Sequence, residues 1–92
     1  MPQKRMYVYQ QNDGGDWYEV ARLRARNLTD AVLRGKALRE WSQGFTQQDW
    51  HEAESVYKGN GIDAMVLFHI GDNSGVSVTP LALIEEHEER GR

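Results

Sequence analysis

Three histidines are the residues of this 92-residue chain best suited to metal binding or general-base catalysis. His51, His69 and His87 lie far apart in the sequence, and none has a second ligand at the i, i+4 spacing that a helix needs. The chain has no cysteine, which removes zinc–thiolate sites, iron–sulfur clusters and disulfides. We therefore predict neither a metal site nor a bound cofactor.

Nucleophilic and acid–base catalysis also lack a recognisable site. No G-x-S-x-G, S-x-x-K or H-E-x-x-H sequence is present, and Gly14-Gly15 and Gly59-x-Gly61 are typical of turns. Neighbouring carboxylates occur between Glu85 and Glu89, but on a charged C-terminal run they are expected to be solvated. The sequence predicts a protein that is not an enzyme and has no catalytic residues.

The charge is divided unevenly along the chain, which carries −3 in total. Residues 1–45 hold eight Lys or Arg against five Asp or Glu, whereas residues 46–92 hold three against nine. A carboxylate patch can imitate a phosphate track and be steered to a basic groove of a host protein, with Trp50 as an aromatic anchor. The other interpretation is a solubilising surface. The candidate protein-binding residues are Asp49, Trp50, Glu52, Glu54, Glu85 and Glu86.

The basic residues of the first half provide an alternative site, for RNA or DNA. Tyr18, with Tyr7 or Tyr9 from the neighbouring strand, could stack bases among the arginines. The sequence pI of about 5.5 makes nucleic acid the less probable partner. Two separate patches would result if the helix packs on the side of the sheet away from the arginines. The candidate nucleic-acid-binding residues are Arg22, Arg24 and Arg26 on a strand, and Arg34, Lys36 and Arg39 on a helix.

The elements that would position these residues begin with a hairpin and a helix. The hairpin pairs Met6–Gln11 with 17–26, where alternation puts Trp17 on the side opposite Tyr18 and the arginines. Thr29 is suited to the N-cap of an amphipathic helix that runs to about Gln43, with Leu28 and Leu33 as a hydrophobic staple. A glycine within its apolar stripe, Gly35, indicates a close approach of the helix backbone to the sheet.

The second half reads as further strands, at 50–58, 62–71 and 76–79, and Pro80 is expected to end the last of them. A short helical segment is predicted after Pro80. In the predicted strand at 62–71, Val66 and Phe68 are expected to face the core. The predicted core is Val8, Ala21, Leu23, Leu28, Val32, Leu38, Trp41, Val66, Phe68, Ile70 and Val78.

Strand, hairpin and strand, followed by the sequence A-x-N-L-x-D-A that opens a helix at 25–31, resemble the architecture of small phage-encoded inhibitors. These include host-polymerase inhibitors and anti-CRISPR proteins. The resemblance covers residues 7–41 and is architectural. It implies a compact cytoplasmic protein that blocks a nucleic-acid-handling machine of the host, and it assigns no site residues.

Together these patterns predict one α+β domain over residues 1–92, with residues 1–5 and 88–92 frayed. Its antiparallel sheet has four to five strands in the order β-β-α-β-β-β, with one main helix packed on one face and a short C-terminal helical segment. We expect a cytoplasmic, non-enzymatic inhibitor or adaptor that binds a host protein with a basic groove, acting as a nucleic-acid mimic. The alternatives are a small nucleic-acid-binding module and a domain that forms a homodimer through a sheet edge. No membrane association is expected, because the longest apolar run is far short of the ~20 residues that span a bilayer.

Overall fold

The computed structural model describes residues 4–57, 61–70 and 78–87. Residues 1–3 and 88–92, expected to fray, lie outside these ranges, and Arg5 begins the first strand. The elements in chain order are β1 (Arg5–Asp13), β2 (Asp16–Ala25), α1 (Leu28–Ala37), α2 (Arg39–Ser42), α3 (Gln47–His51), β3 (Glu54–Tyr57), β4 (Asp63–Ile70) and β5 (Val78–Glu86).

The five strands form one antiparallel sheet in the order β2-β1-β5-β4-β3. The last strand, β5, lies in the middle and joins the N-terminal hairpin to the β3–β4 pair. The three helices pack on one face of this sheet, so the predicted α+β class is confirmed.

The β1–β2 hairpin turns at Gly14 and Gly15, whose φ angles of 65° and 100° suit a type I′ turn. Farther along, β2 contains a β-bulge: Tyr9 lies opposite Ala21, but Gln10 lies opposite Glu19, which leaves Val20 as an extra residue. The bulge shifts the alternation of side chains between the two faces of β2 by one residue. The faces that we predicted for Trp17 and Tyr18, which precede the bulge, are therefore wrong.

The correction concerns the two aromatic residues that begin β2. Directly opposite residues of an antiparallel pair share a face, and Tyr18 pairs with Gln11, whose amide donates to the carbonyl of Trp41 at 2.8 Å. Tyr18 therefore lies on the helix side. Trp17 lies on the other side, together with Arg22 and Arg24.

Helix α1 is capped by Asn27 and not, as predicted, by Thr29. The side chain of Asn27 accepts from the N–H of Asp30 at 2.9 Å, and the carboxylate of Asp30 accepts from the N–H of Arg26 at 2.9 Å. This earlier cap leaves Leu33 61% exposed, so the predicted staple does not form.

The predicted single helix is divided in two. The backbone of Leu38 leaves the helical region at ψ 89°, which separates α1 from the short α2. The chain then ends α2 with Gly44 at φ 89°, in the left-handed conformation that favours glycine after a helix. This break turns Trp41 toward the sheet.

Trp41 is the centre of the core between helices and sheet. It is fully buried, its indole N–H donates to the carbonyl of Gln10 at 2.8 Å, and its ring meets Tyr9, Phe45 and Trp50 edge-on at centroid distances of 5.2, 5.0 and 5.8 Å. The hydroxyl of Tyr9, which is also buried, donates to the carbonyl of Ala31 at 2.6 Å. These contacts fix the helix layer to β1.

Gly35 provides the close approach of helix to sheet that the sequence indicates. A Cβ atom built on it would lie 2.9 Å from the rings of both Trp41 and Tyr9. Gly35→Ala should therefore destabilise the protein by up to about 2 kcal/mol, because overpacking costs about 1–3 kcal/mol and the gain in helix propensity is ~1 kcal/mol. Urea unfolding measures this change. A Gly35→Ala chain more stable than its parent would contradict the close packing, and Leu33→Ala is the exposed control.

The side of β4 that faces the core is opposite to our prediction. Met65 and Leu67 lie under the helices with Ala82 and Ile84, whereas Val66 and Phe68 lie on the other side. Both sides of β4 are apolar, so alternation alone does not say which one the helices cover. Side chains 69, 70, 78 and 79 lie outside the described set.

The predicted helical segment after Pro80 is wrong for the described residues, because β5 continues as a strand to Glu86. Pro80 lies opposite Phe68 at a register shift, where Leu81 is the extra residue. A proline, which has no N–H, is tolerated at such a bulge. The carbonyl of Pro80 accepts from the side chain of Asn12 at 2.7 Å.

Helix α3 lies between the predicted main helix and the strand predicted at 50–58, and it takes the place of the first residues of that strand. Thr46 and Asp49 form a capping box: the carboxylate of Asp49 accepts from the N–H of Thr46 at 2.9 Å, and the hydroxyl of Thr46 accepts from the N–H of Asp49 at 3.1 Å. A strand follows, as predicted, but it begins only at Glu54.

Candidate functional site

The side of the sheet opposite the three helices carries a mixture of apolar and charged residues, and we call it the open face. Its side chains follow from the strand register, because opposite residues share a face. Two adjacent rows cross all five strands. From β2 to β3, the first row is Glu19, Gln10, Leu83, Val66 and Glu54, and the second is Arg22, Val8, Glu85, Ala64 and Val56.

Four apolar residues lie in the middle of the open face, and we call them the apolar strip: Val8, Ala64, Val66 and Leu83. Val8 and Ala64 are buried by their neighbours, and Val66 and Leu83 are half-buried. None of the four belongs to the core cluster under the helices. Among the described residues no helix packs on this strip, and Val66 and Leu83 are its partly exposed members.

Charged groups lie at both ends of the apolar strip, and Glu85 lies within it, between Val8 and Ala64. Glu54 is exposed on β3, and Glu85 on β5 accepts from the amide of Gln10 at 3.3 Å. On β2, Arg22 binds Glu19 through two hydrogen bonds of 2.7 and 3.0 Å, which lower the pKa of the Glu19 carboxyl. The open face is thus acidic toward β3 and carries arginines on β2.

A shallow depression of about 420 Å³ lies in the open face above β1. Val8 and Gln10 form its floor, and Arg22, Glu85 and His87 are among the residues at its edge. The mixture of one apolar residue with amide, guanidinium and carboxylate groups is suited to side chains of another protein.

Of the six candidate protein-binding residues, three serve the fold. Asp49 is 3% exposed and caps α3, and Trp50 packs against Trp41 and Phe45. Glu52 follows α3 and accepts from the side chain of Gln48 at 2.8 Å. These groups lie on the helix side, away from the open face.

The other three acidic candidates are divided between the two sides of the sheet. Glu54 and Glu85 share the open face. Glu86 points to the helix side, where its carboxylate accepts from Arg5 at 3.5 Å and from the N–H of Asp63 at 3.3 Å. The structure therefore brings together two of the six.

The candidate nucleic-acid-binding residues form two patches, as expected for a helix on the far side of the sheet. Arg22 and Arg24 lie on the open face. The other four lie by the helices: Arg26 and Arg34 approach the carboxylate of Asp30 at 3.7 and 3.2 Å, Lys36 lies 5.2 Å from the centroid of Trp50, and Arg39 is exposed on α2.

The tyrosines proposed to stack bases do not lie among the arginines. Tyr7 and Tyr9 are fully buried in the core, and Tyr18 is on the helix side. Trp17, which is 40% exposed, is the aromatic residue of β2 that shares the arginine face. A stacking platform of the predicted kind is therefore absent from the described residues.

Sequence reasoning missed the apolar strip, although a signal for it was present. The run from Ala64 to Phe68 is apolar on both sides of its strand, and so is the run from Leu81 to Ile84. Such runs indicate strands covered on both faces. The described helices cover only one face of these strands, so their second apolar face is the feature that the prediction did not use.

No group of three His, Asp or Glu side chains that could hold a metal ion is found in the described part of the chain, and His51 and His87 are exposed there. None of its helices is long and apolar enough to cross a membrane. Comparison of the chain with models of protein families, with curated proteins and with solved structures found no match.

Proposed function

We propose that this chain is a non-enzymatic protein-binding domain, an inhibitor or adaptor, that docks through the open face of its sheet. The observation that carries the proposal is the apolar strip of Val8, Ala64, Val66 and Leu83, which has a charged border and no helix above it among the described residues. An apolar centre with a polar rim is the arrangement of protein–protein interfaces.

Each part of the open face has a separate task in this proposal. Complete burial of a half-buried side chain such as Leu83 contributes about 1 kcal/mol. The carboxylates of Glu54 and Glu85 attract cations on the partner and orient it on the strip. The negative charge of residues 46–92 steers a basic partner toward this side during the encounter.

The identity of the partner as a host protein with a basic groove rests on this charge and on the resemblance to phage-encoded inhibitors. In that interpretation the domain is cytoplasmic and its carboxylates occupy sites where nucleic acid would bind. Glu54 and Glu85 replace the larger acidic set in this role, because they share one face with the apolar strip.

A pull-down from a bacterial lysate treated with nuclease tests the apolar strip. Leu83→Asp should reduce recovery of the partner by about tenfold or more, because a charge at the centre of an interface must be desolvated. Leu33→Asp, the same change on the exposed side of α1, should leave recovery unchanged. Circular dichroism establishes that both chains fold. Equal recovery with the two variants would contradict docking through the open face.

Charge reversal tests the acidic border on residues that are exposed and therefore tolerant of change. Glu54→Lys should slow association with a basic partner and make it less sensitive to salt, whereas Glu40→Lys on α2 should not. Surface plasmon resonance at two salt concentrations measures the association rate of each variant. Identical rates for the two variants would remove Glu54 from the interface.

The alternative function is nucleic-acid binding by Arg22 and Arg24, but none of the tyrosines proposed to stack bases shares their face, because Tyr7 and Tyr9 are in the core and Tyr18 is on the helix side. Electrophoretic shift with single- and double-stranded nucleic acids still distinguishes it. Binding that weakens steeply with salt and disappears in Arg22→Glu/Arg24→Glu would replace the protein-binding proposal. We expect no shift, because Arg22 already binds the carboxylate of Glu19.

A further inference from the structure

Among the strands that the structure describes, β2 forms one edge of the sheet and pairs with β1 alone. In a two-residue hairpin the pair beside the loop, Asp13 and Asp16, exchanges hydrogen bonds, and bonded pairs then alternate along the strands. Four residues of β2 consequently direct their backbone N–H and C=O groups away from β1. They are Trp17, Glu19, Arg22 and Arg24.

The bulge at Val20 gives this edge an unusual symmetry. When two copies of a regular strand pair antiparallel about a two-fold axis, odd-numbered residues lie opposite odd-numbered residues of the other copy, and even-numbered opposite even-numbered. In a regular strand, Glu19 could therefore not lie opposite Arg22. For the residues of β2 after the bulge, the extra residue shifts by one position which side chains lie on a given face and which backbone groups point outward. Glu19 and Arg22 therefore share a face and an edge on either side of the bulge.

We propose that a second copy of this chain pairs with β2, antiparallel, about a two-fold axis that passes between Val20 and Ala21. In this register Glu19 lies opposite Arg22 of the partner subunit, and Trp17 lies opposite Arg24 of the partner subunit. On the helix side, Tyr18 lies opposite Leu23 of the partner subunit. In every pair the two residues share a face. On the arginine side, Glu19 meets an arginine of opposite charge, and Trp17 meets an arginine that can lie over its ring.

The charges around the axis form a closed network. Within one copy Arg22 binds Glu19 at 2.7 Å, and across the axis each of these groups meets its opposite in the other copy. Two carboxylates and two guanidiniums alternate around the axis, so every charge has opposite charges as neighbours. Trp17 and Tyr18, which are 40% and 53% exposed, gain contacts at the two ends.

The resulting dimer has a continuous ten-stranded sheet, with the helices of both copies on one side and both open faces on the other. It goes beyond the proposed function, since it uses the edge of the sheet and not the apolar strip. The dimer would present two binding faces side by side, which suits a partner that is itself two-fold symmetric.

Sedimentation of charge variants tests this pairing. The parent chain should have twice its chain mass of 10.6 kDa at about 100 µM. Glu19→Arg alone and Arg22→Glu alone should each be monomeric there, because each places like charges across the axis. An equimolar mixture of the two variants should regain twice the chain mass, because each arginine of one then meets a glutamate of the other.

The mixture separates pairing between copies from effects within one chain, since the like charges inside each variant remain. Arg39→Glu, a reversal on α2, should keep the mass of the parent, and circular dichroism melts establish that each variant folds. A monomeric parent, single variants that dimerise like the parent, or a mixture that stays monomeric would each overturn the proposal. None of these variants changes Leu83, so the proposed function is tested independently of the dimer.

Discussion

Replacement of Trp41 by alanine is expected to lower the free energy of unfolding by about 3–5 kcal/mol. The side chain is fully buried, and three aromatic rings, those of Tyr9, Phe45 and Trp50, contact it at 5.0–5.8 Å between centroids. Alanine would leave a cavity in place of the indole. It would also remove the N–H donor to the buried carbonyl of Gln10.

Urea unfolding, followed by circular dichroism, measures the effect of this substitution. Trp17→Ala is the matched control, since the same atoms are removed from a side chain that is 40% exposed at the end of the hairpin. We expect Trp17→Ala to lower the free energy of unfolding by about 1 kcal/mol or less. Similar losses for both variants would show that Trp41 does not hold α1 and α2 on β1.

Raising the pH from 10 to 12 should reduce stability through Tyr9 by about 2 kcal/mol, which is most of the stabilisation that a shift of about two pKa units represents. Burial raises the pKa of the Tyr9 hydroxyl from 10.0 to about 12. Below pH 10 the hydroxyl is protonated in both the folded and the unfolded protein, and its full contribution to the free energy of unfolding is present. As the pH rises toward 12 the unfolded tyrosine ionises first, which favours unfolding.

Tyr9→Phe isolates this contribution from that of other groups, including Tyr7, whose pKa is also raised, mainly by burial. Below pH 10 the variant should be about 1 kcal/mol less stable than its parent, because the hydrogen bond to the carbonyl of Ala31 is lost. Near pH 12 the order should reverse. A difference between the two chains that is constant from pH 9 to 12 would contradict burial of the hydroxyl.

The features that could be predicted from sequence are those governed by neighbours along the chain. The loop at Gly14-Gly15 requires positive φ angles, and the polar residues at 27–30 contain a helix start, although Asn27 and not Thr29 is the cap. Gly35 indicated close packing because a larger residue would favour a helix more. These local signals were sufficient for the α+β class.

The remaining features depend on contacts between distant parts of the chain. The bulge at Val20 has no glycine or proline to indicate it, since it arises from the pairing of β2 with β1. Similarly, β5 passes through Pro80 because it is held between β4 and β1, and β1 is remote in sequence. Alternation fails across the bulge of β2, and even in β4, where it holds, the side that faces the helices depends on the whole sheet.

The candidate site illustrates the same limit. Acidic residues identify a charged half of the chain, but composition does not distinguish Asp49, which caps a helix, from Glu54, which lies on the open face. The two-sided apolar pattern of β4 and β5 is the better guide. It predicts a surface that one layer of helices cannot cover.

Photo-cross-linking from the open face tests the central claim most directly. Benzoylphenylalanine placed at Val66 lies in the apolar strip, and at Leu33 it lies on the exposed side of α1. Irradiation in a bacterial lysate should join a discrete protein to the chain labelled at Val66 and not to the chain labelled at Leu33. Adducts at Leu33 alone, or the same adducts from both positions, would contradict binding through the open face of the sheet.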